Sequence, residues 1–195
     1  MLTLAKIQVP TEAPLFDERK ATEAGIHFIH ASGGRQLLLK VLAMMYIADR
    51  RLIEKSGRGL TDDDYLAVGG VLAVPSGLLD HAGKVSLFSS TWHRHVEGCA
   101  GNKVKILSEI EPKVLSHAEI AVVEQVATEF AGLNDKEFVQ AFRREAPEVA
   151  EIGKGHFTIK NILVALGDDP EESSAFHEQW ASERRVRFGR NSLVQ

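Results

Sequence analysis

The chain has 195 residues, of which 44% are hydrophobic and 26% are charged, values typical of a globular domain with an ordinary core. Its 23 Lys and Arg against 27 Asp and Glu leave a net charge of −4, which argues against nucleic acid as a general partner. The single cysteine, Cys99, excludes an intramolecular disulfide and a site built from thiolates alone, and it favours a reducing, cytoplasmic location.

Two further classes of protein are not expected. The apolar run at 41–48 lies between Lys40 and Asp49 and is far shorter than the ~20 residues of a membrane span. The first ten residues lack the charged start and apolar stretch of a signal peptide. We therefore expect neither a membrane partner nor export.

The predicted fold is mainly α: a compact helical domain around one central apolar helix over 35–56, with a small β-hairpin inserted over 91–107. The predicted organisation is an extended N-terminal lead-in over 1–16, a single domain over 17–188 and a C-terminal tail over 189–195. No internal repeat or low-complexity tract interrupts this order.

Local signals place the first elements. Asp17 is positioned to cap a helix over 18–31. The segment 35–56 is apolar on more than one face, so it predicts a helix surrounded by others, and Gly57 is positioned to end it in the left-handed conformation. The glycine-rich segment 57–77 is interpreted as a loop with short ordered pieces.

The second half begins with strand chemistry and returns to helix. Two β-prone runs, 91–96 and 103–107, flank a connection that contains Gly and Asn, and this pattern predicts the hairpin. Four further helices are then predicted from their N-terminal caps, at Ser116, Asn134, Thr158 and Asp169.

The common enzyme signatures are absent from the sequence. It has no P-loop, no nucleophile elbow and no zinc-protease motif, and Gly57-Arg-Gly59 lacks the third glycine of a dinucleotide-binding turn. We therefore predict no catalytic residue and no cofactor.

A metal site is weighed at four residues: His81, His93, His95 and Cys99. If 91–96 is a strand, His93 and His95 share one face and are able to approach one ion. No second Cys/His pair completes a four-ligand set, so we predict a solvent-facing pair and no metal. Zinc bound at these residues stays open as the alternative.

Two charged groups have simple interpretations. The acidic run 62–64 lacks the later residues of a calcium loop, and with Thr61 it predicts a capped, solvated turn. The arginines near the C-terminus are predicted to complement the dipole of the last helix and continue into a frayed tail, with phosphate or an acidic partner as the alternative; they are Arg184, Arg185, Arg187 and Arg190.

The order of three blocks carries a family resemblance. A leucine-rich helix contains the block Met45-Tyr-Ile-Ala-Asp-Arg50. It is followed by Gly57-Arg-Gly-Leu-Thr-Asp62 and Tyr65, and Val74-Pro-Ser76 closes the series. This order resembles the Panacea, or SocA-like, antitoxin domain of bacteria and phages, whose pattern is similar to "KLLYxAD", "YGRPLTGDxY" and "GPVPS". The resemblance covers 16–176. The sequence departs from that pattern at Ser56, Gly59 and Leu72-Ala73, and it has one extra residue after Ala67.

The resemblance implies an antitoxin that binds a toxin protein and blocks it by contact. A SocA-like member can also deliver its toxin to a ClpXP-type protease. Neither role needs a catalytic residue. Because surface loops hold specificity, we predict a partner-binding surface that consists of Arg58, Asp62, Tyr65, Pro75 and Ser76, with Trp92 as an aromatic anchor.

Two other function classes stay open. The same domain would also suit a phage or prophage accessory protein that binds another host or defence factor. A metal-dependent or hydrolytic enzyme is the third class. No appended helix-turn-helix domain is evident, so we do not expect DNA binding.

Overall fold

The computed structural model describes residues 16–82, 90–111 and 114–189. Over these residues the protein is mainly helical, and its helices are α1 (Glu18–Ala31), α2 (Leu38–Ser56), α3 (Ser76–Ala82), α4 (Thr91–His95), α5 (His117–Phe130), α6 (Asp135–Glu145), α7 (Glu148–Ile152), α8 (Ile159–Leu166) and α9 (Pro170–Gly189). Two small antiparallel sheets of three strands accompany them. Sheet A has the order β1 (Arg35–Leu37), β5 (Lys103–Ile106), β4 (Val96–Cys99), and sheet B has the order β3 (Leu72–Pro75), β2 (Tyr65–Val68), β6 (Gly155–Phe157).

The first two helices follow their sequence signals closely. Asp17 caps α1, since its Oδ1 accepts a hydrogen bond from Lys20 N at 3.1 Å. Gly57 ends α2 with a left-handed φ of 71°. The helix predicted over 35–56 begins three residues later, because residues 35–37 pair with β5 instead.

Helix α2 is the most deeply buried element. Thirteen of its 19 residues are buried, and it packs against α1, α5, α8 and strand β3. Apolar residues on more than one face of α2 have neighbours on several sides, as the sequence pattern predicts.

The hairpin predicted over 91–107 is shorter than expected. Its strands cover 96–99 and 103–106, and the preceding residues form helix α4. Ser90 caps that helix by accepting a hydrogen bond from His93 N at 3.3 Å, and this local bond overrides the strand propensity of the sequence. The turn uses Gly101 and Asn102, both with positive φ.

The segment 57–77 is not simply a loop, because it contains the hairpin β2–β3. Gly69 and Gly70 adopt left-handed φ angles of 64° and 65° and reverse the chain between the strands. The predicted loop does contain short ordered pieces, but residues 65–75 form a paired hairpin that the sequence interpretation did not identify. Strand β6, which no sequence signal predicted, extends this sheet by pairing with β2.

The C-terminal helices begin at the predicted caps. Ser116 and Asn134 form complete capping boxes with Glu119 and Glu137. Asp169 Oδ1 accepts hydrogen bonds from two backbone N–H groups in the first turn of α9, at 2.8 and 3.2 Å.

Phe16 is the one described residue of the N-terminal lead-in predicted over 1–16. Phe16 is 4% exposed, belongs to the hydrophobic core and contacts the ring of His81 edge-on at 6.0 Å between centroids. The rest of the lead-in, and the predicted tail beyond residue 189, lie outside the described residues. None of the helices in the described ranges is both long enough and apolar enough to cross a membrane.

Candidate functional site

Asp49 lies at the centre of a buried network that ties α2 to the segment after it. Its Oδ1 accepts hydrogen bonds from Leu60 N at 2.5 Å and Thr61 N at 2.9 Å, and its Oδ2 contacts Thr61 Oγ1 at 2.6 Å. Burial raises the pKa of Asp49 to about 7, although these hydrogen bonds favour the charged form. A Cβ at Gly59 would lie 2.9 Å from Oδ1, so this close approach requires glycine where the Panacea pattern has proline.

A second buried network joins α2 to α7. Tyr46 Oη donates to Glu148 Oε1 at 2.7 Å, and Arg50 Nε donates to the same oxygen at 2.9 Å. The Tyr46 ring also contacts the ring of Tyr65 edge-on, with 5.1 Å between centroids. Burial, and then the neighbouring Glu148, raises the pKa of Tyr46 well above its ordinary value. These polar side chains hold distant segments in register.

The acidic run 62–64 is not the solvated turn that the sequence predicts. Asp62 and Asp63 are only 8% and 4% exposed. The Asp63 carboxyl accepts hydrogen bonds from Gly77 N at 3.1 Å and Leu78 N at 2.9 Å, at the start of α3. Burial raises the pKa of Asp63 to about 6. The predicted capped turn is also wrong in its bonding, because Thr61 Oγ1 accepts a hydrogen bond from Asp63 N at 3.3 Å and donates to Asp49, and no helix begins there.

Arginines of α9 bind this acidic run. Arg187 Nη1 lies 2.7 Å from Asp62 Oδ2, and Arg184 Nη1 lies 3.2 Å from Asp64 Oδ1. The guanidinium of Arg184 also stacks over the ring of Trp180 at 4.4 Å from its centroid. The prediction of a frayed tail is therefore wrong for these two arginines, which hold α9 against the rest of the fold. Arg187 also lies in the last turn of α9, as the dipole interpretation predicts.

The other two arginines of that predicted group differ. Arg185 is exposed, and Arg190 lies outside the described residues. A further ion pair, between Arg58 Nη2 and Glu183 Oε2 at 2.6 Å, joins the exposed side of α9 to the same segment.

Most of the predicted partner-binding surface is buried. Tyr65 and Pro75 face each other across β2 and β3 and are buried, with Tyr65 only 1% exposed. Trp92 is 2% exposed because it fills the space beside Gly25, where an added Cβ would lie 2.7 Å from the indole ring. An exposed surface of all six residues is therefore wrong. Asp62 is committed to Arg187, and the two with accessible side chains are Arg58 and Ser76.

A cluster around Ser90 joins α1, α3 and α4. Ser90 Oγ donates to Glu18 Oε1 at 2.5 Å, and it lies 2.7 Å from His81 Nε2 and 3.0 Å from His93 Nδ1. Burial alone would raise the pKa of Glu18, but hydrogen bonds from His81, Ser90 and Trp92 N lower it to about 2.

The Ser90 cluster does not have the arrangement of a serine-hydrolase triad. In a triad the imidazole bridges serine and carboxylate through its two different nitrogens, whereas His81 Nε2 faces both Ser90 and Glu18. The Ser90 proton is directed at a weakly basic carboxylate, and Ser90 is 6% exposed. We interpret the cluster as a set of hydrogen bonds that holds three helices together.

The four residues weighed for a metal do not converge. His81 and His93 have ring centroids 5.5 Å apart, but His95 is directed at Ser108, to whose carbonyl oxygen its Nδ1 lies at 3.1 Å. The expectation that His93 and His95 share a strand face is wrong, because both belong to α4. Within the part of the chain that the structure describes, no group of three or more His, Cys, Asp or Glu side chains is placed to hold a metal ion.

Two open depressions mark the helical surface. The larger, about 550 Å³, lies between α1 and α5 and is lined by His27, Ala31, Glu124, Ala127, Thr128 and Gly132. The smaller, about 310 Å³, lies between α5 and α6 and is lined by Glu129, Phe130, Leu133, Ala141, Arg144 and Glu145. Neither lining includes Asp49, Asp63 or Glu18, the carboxyls whose pKa values are shifted most.

The chain matches no protein-family model, no curated protein and no solved structure. The resemblance to the Panacea domain stays a prediction from the residues that carry it.

Several charged residues that hold segments of the fold together were not recognised from the sequence. Lys40 is 6% exposed, and its Nζ donates to Leu133 O at 2.5 Å at the end of α5. Arg51 forms ion pairs with Glu145 and Glu129, each at 2.6 Å. The signal was present, since charged residues interrupt an otherwise apolar helix and a buried charge requires a partner. Which residues those partners are does not follow from the sequence around Lys40 and Arg51.

Proposed function

We propose that this protein neutralises a partner toxin by binding it directly, as the resemblance to the SocA-like domain implies. The observation that supports the proposal is the Asp49 network. The two sequence blocks that carry most of the resemblance, 45–50 and 57–65, are joined there by hydrogen bonds from Leu60 and Thr61 to Asp49. Residues that resemble the family pattern thus act together as one structural unit.

The motif residues serve the architecture rather than a reaction. Tyr46, Asp49 and Arg50 are all buried, and their hydrogen-bond partners are other parts of the same chain. Contact with a partner therefore involves the exposed side chains of the domain. A protein that blocks its target by contact acts stoichiometrically, because each molecule occupies a target molecule and does not change it chemically.

Co-expression with the product of the neighbouring gene tests the proposal. We expect that product alone to arrest growth, and in cells that lack the ClpXP-type protease we expect rescue only when this protein is at least equimolar with it. Size-exclusion chromatography of the mixture should show one complex of fixed composition. Rescue without a complex, or rescue at strongly substoichiometric levels in cells that lack the ClpXP-type protease, would indicate an indirect route or catalysis and would overturn the proposal.

The same assay separates two modes of neutralisation. In cells that lack the ClpXP-type protease, occlusion by contact still protects growth and leaves the toxin's lifetime unchanged. Delivery to the protease instead loses protection in those cells and shortens the toxin's lifetime in the parent strain. A neighbouring product without toxicity, together with specific binding to a purified host factor, would replace the antitoxin proposal with the accessory-protein alternative.

A further inference from the structure

The outer face of sheet A carries an unusual arrangement of charges. The register places Arg35 opposite Lys105, and Lys105 opposite Glu97 on its other side. The next row places Leu37 opposite Lys103. Residues directly opposite in an antiparallel pair share a face, so these side chains all project from the same side of the sheet.

The opposite face of sheet A packs on the core. Val96 and Val104 are 3% and 4% exposed, and β5 packs against α1. On the outer face, in contrast, Arg35 and Lys103 are exposed, and the Lys105 side chain is 45% exposed. The sheet therefore presents one buried apolar face and one accessible face rich in cations.

This outer face is not arranged for stability of the sheet. Like charges directly opposite on neighbouring strands are destabilising, and Arg35 opposite Lys105 is such a pair. Glu97 Oε2 lies 2.9 Å from Lys105 Nζ, but neither Arg35 nor Lys103 has a carboxylate within ion-pair distance in the described ranges. Three cations and one carboxylate concentrate positive charge on a chain whose net charge is −4.

An apolar side chain adjoins the cations. Leu107 follows β5, and by strand alternation it lies on the same side as Lys103 and Lys105. At 57% it is the most exposed of the large hydrophobic side chains in the described part of the chain. An exposed apolar side chain bordered by charged residues matches the usual anatomy of a protein–protein interface, in which a hydrophobic centre has a polar rim.

We propose that this outer face, defined by Arg35, Lys103, Lys105, Glu97 and Leu107, is the surface that binds the toxin, and that the toxin meets it with an acidic surface. The inference rests on the proposed function and adds the location and the charge of the partner. Carboxylates of the partner relieve the repulsion between Arg35 and Lys105 and compensate Lys103. A protein suits this face better than nucleic acid, because the rows carry no aromatic ring for base stacking and only three cations.

A charge-reversal pair tests the surface without removing the fold. Arg35→Glu places a carboxylate opposite Lys105, which replaces a repulsive cross-strand pair by an attractive one. Lys103→Glu faces the uncharged Leu37 and Cys99. The double variant R35E/K103E should therefore fold like the parent, as checked by circular dichroism and thermal melting, and R35Q/K103Q supplies a milder pair if it does not.

The matched control changes the net charge by the same amount elsewhere. Arg19 and Lys136 are exposed and lie in the first turns of α1 and α6, where a carboxylate suits the helix dipole. The variant R19E/K136E therefore separates a local effect at sheet A from a general effect of charge.

We expect R35E/K103E to weaken the complex with the neighbouring gene product at least tenfold and to lose growth protection, while R19E/K136E stays within twofold of the parent. Leu107→Ala should weaken binding without altering its dependence on salt. Zero-length carbodiimide coupling should join Lys103 or Lys105 to Asp or Glu residues of the partner, as identified by mass spectrometry.

The possible failures are distinguishable. If the parent protein forms no complex with its toxic neighbour, the proposed function fails and this inference fails with it. If the parent binds and R35E/K103E binds equally well, the inference alone is overturned. Loss of binding in Arg58→Ala with no loss in R35E/K103E would show that the toxin contacts the 58–62 segment and not the outer face of sheet A. Binding of a 20-base-pair duplex by the parent but not by R35E/K103E would show that this face binds nucleic acid and not an acidic protein.

Discussion

The Asp49 carboxyl illustrates how one buried side chain determines the path of a whole segment. Its Oδ1 accepts the two successive backbone N–H groups of Leu60 and Thr61, and its Oδ2 meets the Thr61 hydroxyl. Near pH 5 the carboxyl is protonated, because its pKa is about 7, so Oδ2 then donates to Thr61 Oγ1. An asparagine amide can keep these three hydrogen bonds, because its Oδ1 accepts and its Nδ2 donates.

Substitution at Asp49 should therefore depend strongly on the replacement. Asp49→Asn keeps two acceptor bonds and one donor bond, and near pH 5 its free energy of unfolding should lie within about 1 kcal/mol of the parent. Asp49→Ala leaves two buried N–H groups without an acceptor and should cost about 3 kcal/mol or more. Urea unfolding measures both. Equal losses in the two variants would show that the hydrogen bonds do not hold this segment.

At the scale of residues, the sequence indicates burial better than it indicates partners. The apolar pattern of 35–56 marks Met44 and Met45 as core, and both are 0% exposed. It does not show that Asp63 turns inward to α3 or that Arg184 reaches Asp64, which is 120 positions away. Such contacts depend on which distant segments pack together, and no local pattern records that.

At the scale of elements, local chemistry decides which predictions succeed. Helices that begin with a cap, such as those after Asp17, Ser116 and Asn134, begin where the sequence indicates because the cap bonds lie within one turn. The hairpin β2–β3 was missed because Gly69 and Gly70 were interpreted as loop residues, although two apolar runs flank them. Strand β6 has three residues, so its pairing with β2 is the main signal for it.

Helix α9 is the element whose attachment the sequence describes least well, and a substitution tests it. Arg184→Ala removes the ion pair to Asp64 and the stacking on Trp180, and should cost about 1–2 kcal/mol in free energy of unfolding. Arg184→Lys should be intermediate, because an ammonium keeps the charge but not the planar stack.

The neighbouring exposed arginine provides the control for that experiment. Arg185→Ala should change the free energy of unfolding by less than about 0.5 kcal/mol. Urea unfolding gives the total effect, and hydrogen exchange of the backbone amides in 170–187 shows whether α9 opens on its own. Equal effects of Arg184→Ala and Arg185→Ala would mean that the ion pair and the stack contribute nothing measurable.

At the scale of the whole molecule, three carboxyls that join different elements have shifted pKa values. Two of these pKa values are raised and one is lowered. Asp49 and Asp63 are held in the interior, where burial raises their pKa values to about 7 and about 6. Glu18 is surrounded by donors from α3 and α4, which lower its pKa to about 2. The folded protein therefore binds protons more tightly than the unfolded chain at two sites and less tightly at the third.

These shifts predict how stability depends on pH. For Asp49 and Asp63 the stabilisation is fully present below the ordinary pKa of 3.8. It is lost as the pH rises towards about 7 for Asp49 and about 6 for Asp63. For Glu18 the stabilisation is present above the ordinary pKa of 4.5 and is lost as the pH falls towards 2. Summed over these three groups, the free energy of unfolding should therefore be highest at about pH 3.5–4 and should decrease on both sides.

Two variants assign the two sides of that profile. Asp49→Asn removes the titration at that site, so between pH 5 and pH 8 it should gain about 2–3 kcal/mol in free energy of unfolding relative to the parent, or roughly 4–12 °C in Tm. Glu18→Gln should flatten the decrease below pH 4 and leave the decrease above pH 5 unchanged, because it removes only the group with the lowered pKa. Urea unfolding at pH 3, 5 and 8 measures both effects. A parent protein that is most stable at pH 8, with Asp49→Asn showing no gain there, would mean that Asp49 is ionised in the fold at no cost and that its burial does not raise its pKa.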